Sequence, residues 1–335
     1  MHTIKICFLF ASVIFYGCTD QSTSNNKNQP INYELVEAWP KLPTGYSFGQ
    51  PTGIGIDSKQ HLFVFHRAGR KWTDPFPEEF IDKNTILELD AETGTIINEW
   101  GANLFIMPHG LTVDKEDNIW VTDVGLHQIL KFSHDGQLLM TLGVAKTPGS
   151  DSLHFNLPTD VAVADDGSFY VSDGYGNSRV VKFSASGNYL LEWGTKGSDE
   201  GAFDIPHGIT IDKSEHVYVA DRQNNRIQVF DKNGVFLRVL ENKDSVPQLP
   251  SVTIDSAQHL YAIDFDYTIT TDIGNKGSKI FRYDSIGNVV FQFGSTGENK
   301  RTVSWYHDIA VDQQGNIYVG DIHGTKLLKF RNKGY

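Results

Sequence analysis

Three histidines of this 335-residue chain fall at one position of a repeated unit, and that position decides what chemistry they can do together. The unit has the form apolar-Pro-x-x-apolar-x-apolar-Asp. It recurs as Gln50-Pro51-Thr52-Gly53, Met107-Pro108-His109-Gly110, Leu157-Pro158-Thr159-Asp160, Ile205-Pro206-His207-Gly208, Leu249-Pro250-Ser251-Val252 and Trp305-Tyr306-His307-Asp308. The residue after the Pro slot reads Thr52, His109, Thr159, His207, Ser251, His307, so histidine alternates with a small hydroxyl residue. Three neutral imidazoles at one level of a ring supply three nitrogen ligands and leave a further position open. That is the donor set of a catalytic rather than a closed structural zinc site.

The elements that hold these residues follow from the same repeat. Roughly a dozen residues after each copy comes an apolar pair ending in Asp, at Asp123, Asp173, Asp221, Asp264 and Asp321. Two alternating strands follow, as in Arg179 to Phe183 and Tyr189 to Trp193, with Gly, Asn and Asp at the turns. Six four-stranded antiparallel meanders, roughly 45 to 55 residues apart, predict a six-bladed all-β propeller. In such a ring the first strand of each blade lines the central channel, so the three histidines meet at the axis. The last copy stops after its third strand, and Tyr33 to Trp39 resembles a fourth strand, so the N-terminal segment is expected to close the ring. The loop after each Asp surrounds the same mouth. It carries Arg67 beside His66 in the first blade, Tyr175 in the third and Arg222 in the fourth. Guanidinium forks suit a carboxylate, and a phenol beside a dication suits general-base work, which makes these three the candidate catalytic residues. His61, His134, His216 and His259 fall beside turns or at blade edges and receive no metal role.

Composition sets the wider frame. Hydrophobic residues make up 39% and charged residues 21%, with 31 Gly and 12 Pro, as suits a turn-rich globular chain. Residues 1–17 resemble a lipoprotein signal peptide, ending just before Cys18, and 18–32 read as a polar tether leading to a propeller over 33–335. Cleavage there leaves Cys18 without a disulfide partner, and predicts an exported monomer tied to a bacterial membrane only by a lipid on Cys18. Without Lys5 the chain carries 28 basic against 41 acidic residues, which argues against nucleic acid as a partner and for small or neutral molecules.

Copies such as Asp221-Arg222-Gln223-Asn224-Asn225-Arg226 resemble NHL repeats. Phe65-His66-Arg67, Pro108-His109-Gly110-Leu111, Val171-Ser172-Asp173-Gly174-Tyr175, Pro206-His207 and His307-Asp308 resemble, more narrowly, the peptidyl-α-hydroxyglycine α-amidating lyase family. The stretch Trp120 to Gln128 agrees as well. The resemblance implies zinc on His109, His207 and His307, catalytic roles for Arg67 and Tyr175, and Arg222 lining the site. It also implies a calcium ion held by Asp308 and by main-chain oxygens of Ile54 and Leu111. Asp308 supports this independently, because its slot is Gly in three other blades and a buried axial carboxylate needs a cation. The implied reaction cleaves the N–Cα bond of a peptidyl- or N-acyl-α-hydroxyglycine, a substrate with a free carboxylate, to a primary amide and glyoxylate. Trp305 and Tyr306 stand where the family has Met and Pro, so Trp305 is expected to reshape the substrate pocket.

Two rival readings start from the same fold. A propeller hydrolase or lactonase using channel calcium would rely on acidic and amide oxygens rather than three imidazoles. A non-enzymatic NHL module would need no alternating histidines. The insertions Lys71 to Pro77 in blade one and Asp266 to Lys279 in blade five read as a lid or a partner loop.

Overall fold

The structure, a computed structural model, describes residues 33–241, 248–265, 278–294 and 304–334. The expected signal and tether, and residues 266–277 of the blade-five insertion, lie outside the described residues. The described chain forms six antiparallel sheets of four strands each. Their innermost strands are Pro51–Ile56, Pro108–Val113, Asp160–Val163, Pro206–Ile211, Ser251–Ile254 and Tyr306–Val311. Contacts run from each of these to the next and from the last back to the first, so the sheets close as a six-bladed β-propeller.

The N-terminal strand does close the ring. Tyr33–Leu35 pairs with Lys326–Asn332 as the outermost strand of the last blade, with Leu35 opposite Phe330. It ends earlier than the expected Trp39. Ala38 takes a left-handed φ of 57°, which breaks the pleat and turns Trp39 into the core, where its ring lies 5.4 Å from Tyr318. Strand pairing is therefore short, and burial of Trp39 does part of the closing.

Blades pack face to face through apolar clusters that alternate along the strands. Phe63, Phe65 and Ile86 of blade one, for example, meet Ile119, Val121 and Leu130 of blade two. Each fully buried aromatic or aliphatic side chain contributes about 1.5–3 kcal/mol. Fourth strands face outward, as the exposed Leu138 and Leu139 record. At the mouth, the repeated Asp fastens each loop to backbone amides. Asp123 accepts from the N–H groups of Ile106, Met107 and Leu126, and Asp321 accepts from Trp305. In blade one His66 takes over this task, its Nδ1 accepting from Gly49 and Ala68.

Around the axis the inner strands crowd. A Cβ on Gly110 would stand 2.6 Å from the Thr159 carbonyl oxygen, so no side chain fits there without displacing backbone. Strand register also slips at each histidine, between Pro108 and Leu111, Pro206 and Ile209, and Tyr306 and Asp308. A bulge at that point turns the side chain off the sheet face and toward the channel.

Candidate active site

His109, His207 and His307 meet on the axis as buried side chains, with ring centroids 4.7, 4.8 and 5.0 Å apart. A backbone carbonyl of the neighbouring blade fixes each ring. The Nδ1–H groups donate to Thr159 O at 2.7 Å, Pro250 O at 2.7 Å and Thr52 O at 2.8 Å. A carbonyl only accepts, so Nδ1 carries the proton and each Nε2 lone pair is free. Burial pushes all three imidazoles well below the usual histidine range, His307 to about 3, and the charges of Arg67, Arg222 and the neighbouring rings add to this. They are neutral at neutral pH, as metal ligands must be.

Tyr175 caps this tier. Its hydroxyl lies 3.1 Å from His109 Nε2 and 3.0 Å from His207 Nε2, and accepts from Arg222 Nη1 at 3.1 Å. One phenolic proton can satisfy only one of two facing lone pairs, so the cluster is short of positive charge at its centre, and a divalent cation fits it. The three ligand atoms lie within 4.8 Å of one another, which allows one ion to reach them all.

Arg67 is buried at the same mouth. Its Nε donates to Pro108 O and its Nη1 to Gln50 Oε1 at 2.8 Å. Burial lowers its guanidinium from the usual range to about 10. Among the described residues neither Arg67 nor Arg222 forms an ion pair with a carboxylate, and Arg222 Nε is buried without a partner. Two guanidiniums thus face the axis with anion-binding capacity unspent.

Trp305 sits further out, its ring 5.9 Å from Phe265, which in turn lies 5.9 Å from the Arg222 guanidinium. Its other ring neighbour is His323, at 5.1 Å. Below the histidine tier, Asp308 accepts from Ile54 N–H at 2.7 Å and from the Ser251 hydroxyl at 2.6 Å. Ile54 and Leu111 line a cavity of about 260 Å³ in the lower channel, together with Asp308 and Asp160.

Two contributors were not singled out from sequence. Asp160 occupies the same slot as Asp308, in the blade directly across the ring, and the register that flagged one flags both. Burial pushes both carboxyls up, Asp160 further through the charge of Asp308. Trp72, from the blade-one insertion, lies with its ring 5.0 Å from Tyr175 and 5.1 Å from the Arg67 guanidinium. Phe76 braces it edge-on at 4.8 Å. The insertion therefore forms a wall of the site, which favours the lid over the partner loop among the two readings of Lys71 to Pro77.

Comparison with known proteins agrees with this fold. The NHL repeat family model matches residues 105–132, 155–183 and 203–230. Peptidyl-glycine alpha-amidating monooxygenase B of Xenopus laevis is 36% identical over 90% of this chain, which spans only 36% of that protein. A Caenorhabditis elegans protein named as a probable peptidyl-alpha-hydroxyglycine alpha-amidating lyase is 33% identical, covering 95% of this chain and 93% of its own length. Among solved structures, a virginiamycin B lyase from Staphylococcus aureus superposes with a TM-score of 0.58 over 90% of this chain and 98% of its own, at 12% identity, a likeness of fold alone.

These findings also correct one expectation. The relatives that carry the match are animal proteins, several named as amidating lyases, not bacterial lipoproteins, which overturns the reading of a lipid-anchored protein on a bacterial membrane. Among the described residues no helix is long and apolar enough to cross a membrane. With the match running nearly end to end in the nematode relative, the chain belongs to the peptidyl-α-hydroxyglycine α-amidating lyase family, a family of carbon–nitrogen lyases.

Proposed function

We propose that this chain cleaves the N–Cα bond of a peptidyl- or N-acyl-α-hydroxyglycine, giving a primary amide and glyoxylate, with zinc on His109, His207 and His307. The observation that carries this reading is the Tyr175 hydroxyl, within hydrogen-bond reach of two of the histidines and of Arg222 and flanked by guanidiniums that lack a carboxylate partner. A bound dication supplies an electrophile for the substrate's hydroxyl oxygen.

The chain's own residues do the rest. Arg67 and Arg222 hold the substrate carboxylate, which orients the carbinol carbon toward the axis. Acting as a phenolate, Tyr175 takes the proton of the substrate hydroxyl through Oη. The carbonyl of glyoxylate forms as the N–Cα bond breaks, and the same phenol returns the proton to the departing amide nitrogen. Atoms balance without water or a redox partner. Trp72, across from Tyr175, limits solvent at the reacting bond, and Trp305 borders the acyl or peptide side. The lower tier suits calcium, with Asp308 and the main-chain oxygens of Ile54 and Leu111 as its ligands. A hard dication would relieve two carboxyls that burial holds above their usual range.

The test is to assay Tyr175→Phe and Arg67→Ala for glyoxylate release from an N-acyl-α-hydroxyglycine while measuring bound zinc. Turnover should fall by about 10²-fold or more in each, with zinc content unchanged. Loss of zinc alongside turnover would move either residue from catalysis to metal support.

A further inference from the structure

A second group of metal-ligating side chains lies at the turn that follows the first inner strand, and the repeat itself provides the control for reading it. In blades two, four, five and six the turn aspartate, Asp114, Asp212, Asp255 or Asp312, gives one oxygen to turn amides. Its other oxygen accepts from side chains of the same blade. Asp212 accepts from His216 Nδ1 at 2.9 Å and the Tyr218 hydroxyl at 3.0 Å, and Asp255 accepts from His259 Nδ1 at 2.8 Å and the Tyr261 hydroxyl at 3.2 Å. Each of these carboxylates is satisfied locally.

Blade one departs from this pattern at four points. Asp57 still binds the amides of Lys59 and His61 through Oδ1, but Phe63 stands where blades four and five carry the tyrosine. A second buried carboxylate, Glu88 of strand Ile86–Asp90, takes the vacated side. His134, from the turn after strand Gln128–Phe132 of blade two, reaches across the blade interface. His61, the counterpart of His216 and His259, has swung off its aspartate. Its Nδ1 lies 3.3 Å from Asp57 Oδ2 and 2.7 Å from Glu88 Oε1, yet is buried with no hydrogen bond of acceptable geometry. His134 Nε2 lies 2.9 Å from Asp57 Oδ2 and 3.7 Å from Glu88 Oε1.

We propose that Asp57, His61, Glu88 and His134 form a second metal site, for zinc or another first-row dication, that clamps blade one to blade two. The four donor atoms all lie within 4.8 Å of one another. The four separations above bracket the edge of about 3.3 Å that a tetrahedron with bonds of about 2.0–2.1 Å requires. The carboxylate side chains are 0% and 5% exposed, and among the described residues no lysine or arginine pairs with either. A dication neutralises both while leaving both imidazoles uncharged. The histidine side chains are 25% and 28% exposed, so an ion can enter from solvent. Two nitrogens and two carboxylate oxygens select a borderline ion over calcium or magnesium. Four protein ligands close the site, so its role is structural, next to the direct cross-blade bonds from Ser58 to Asp117 at 2.8 and 2.6 Å.

The experiment separates this site from the axial one. The full chain and its His207→Ala, His134→Ala and double variants are stripped with chelator, equilibrated with Zn²⁺ and, in parallel, with Co²⁺ as an optical probe. Bound metal and metal-dependent Tm are then measured. His207→Ala should keep one tight equivalent and a Tm that rises by several degrees when zinc is returned. His134→Ala should lose one equivalent relative to the parent and keep its lyase turnover, and the double variant should show neither signal. Glu88→Gln and His109→Ala repeat the test if a first variant folds poorly. If His134→Ala retains as much metal as its parent, or if His207→Ala shows no zinc-dependent shift, the four side chains are an ion-pair cluster and the proposal falls.

Discussion

The axial histidines and the Asp57 cluster gather metal-binding side chains by opposite routes. On the axis, one repeat position is used three times, in blades two, four and six, and the ring's symmetry brings the side chains together. All three donors are neutral nitrogens, each locked by a carbonyl of the next blade, and the Tyr175 hydroxyl stands over their shared face. At the rim, four different positions of two adjacent blades converge, two of them carboxylates, and the protein surrounds the point. The donor sets differ in charge as well as in origin. A neutral tier would keep a bound ion electrophilic, whereas two carboxylates would quench an ion's charge and suit it to holding structure.

The comparison can be broken most sharply at the axis. His207→Ala should lower glyoxylate release at least about 10³-fold, because a ligand is lost from the reacting centre, while zinc at the rim remains. Metal analysis beside steady-state kinetics reads both halves. A rim cluster that emptied along with the axis would mean the two sites are not independent.

Trp72→Ala probes what the Tyr175 face gains from the blade-one insertion. Removing a ring that packs on both Tyr175 and Arg67 should lower kcat/KM about 10-fold, with metal content unchanged at both sites. A neutral effect would return the insertion to the role of partner loop.

The smallest effect expected is on stability against acid, and it contrasts a buried histidine outside both metal clusters with those proposed as ligands. Burial lowers His66 to about 3, and its Nδ1 accepts from Gly49 and Ala68. In the unfolded chain a histidine protonates near its usual value of about 6.5. Between about pH 6.5 and 3 the unfolded state therefore binds the extra proton, and stability falls as pH drops through that window. Replacing His66 with Gln should flatten this part of the curve in chelated protein, read by denaturant melts at stepped pH.

How much of this was legible in the sequence follows the same division. Wherever a residue repeats in register, the reading carried through: the six blades, the closing N-terminal segment, the histidine level and the mouth residues Arg67, Tyr175 and Arg222 all follow from periodicity. Asp160 follows from the same register, in a blade whose preceding slot holds Thr159 instead of a histidine. What the periodicity could not deliver are contacts made by exceptions to it. Trp72 comes from an insertion with no counterpart in other blades. His61 and His134 looked like ordinary turn histidines because their partners, Asp57 and Glu88, sit at unrelated repeat positions. The closing strand was read too long because alternation continues to Trp39, while the left-handed backbone at Ala38 has no signature in the pattern.

The most direct test of the account is to titrate Zn²⁺ into chelated full-length chain, with the rim site removed by His134→Ala, while following glyoxylate and primary amide from an N-acyl-α-hydroxyglycine. Activity should rise linearly and saturate at one zinc per chain, with the two products released in equal amounts. Full activity before zinc is added, or a saturated chain that releases no glyoxylate, would contradict it.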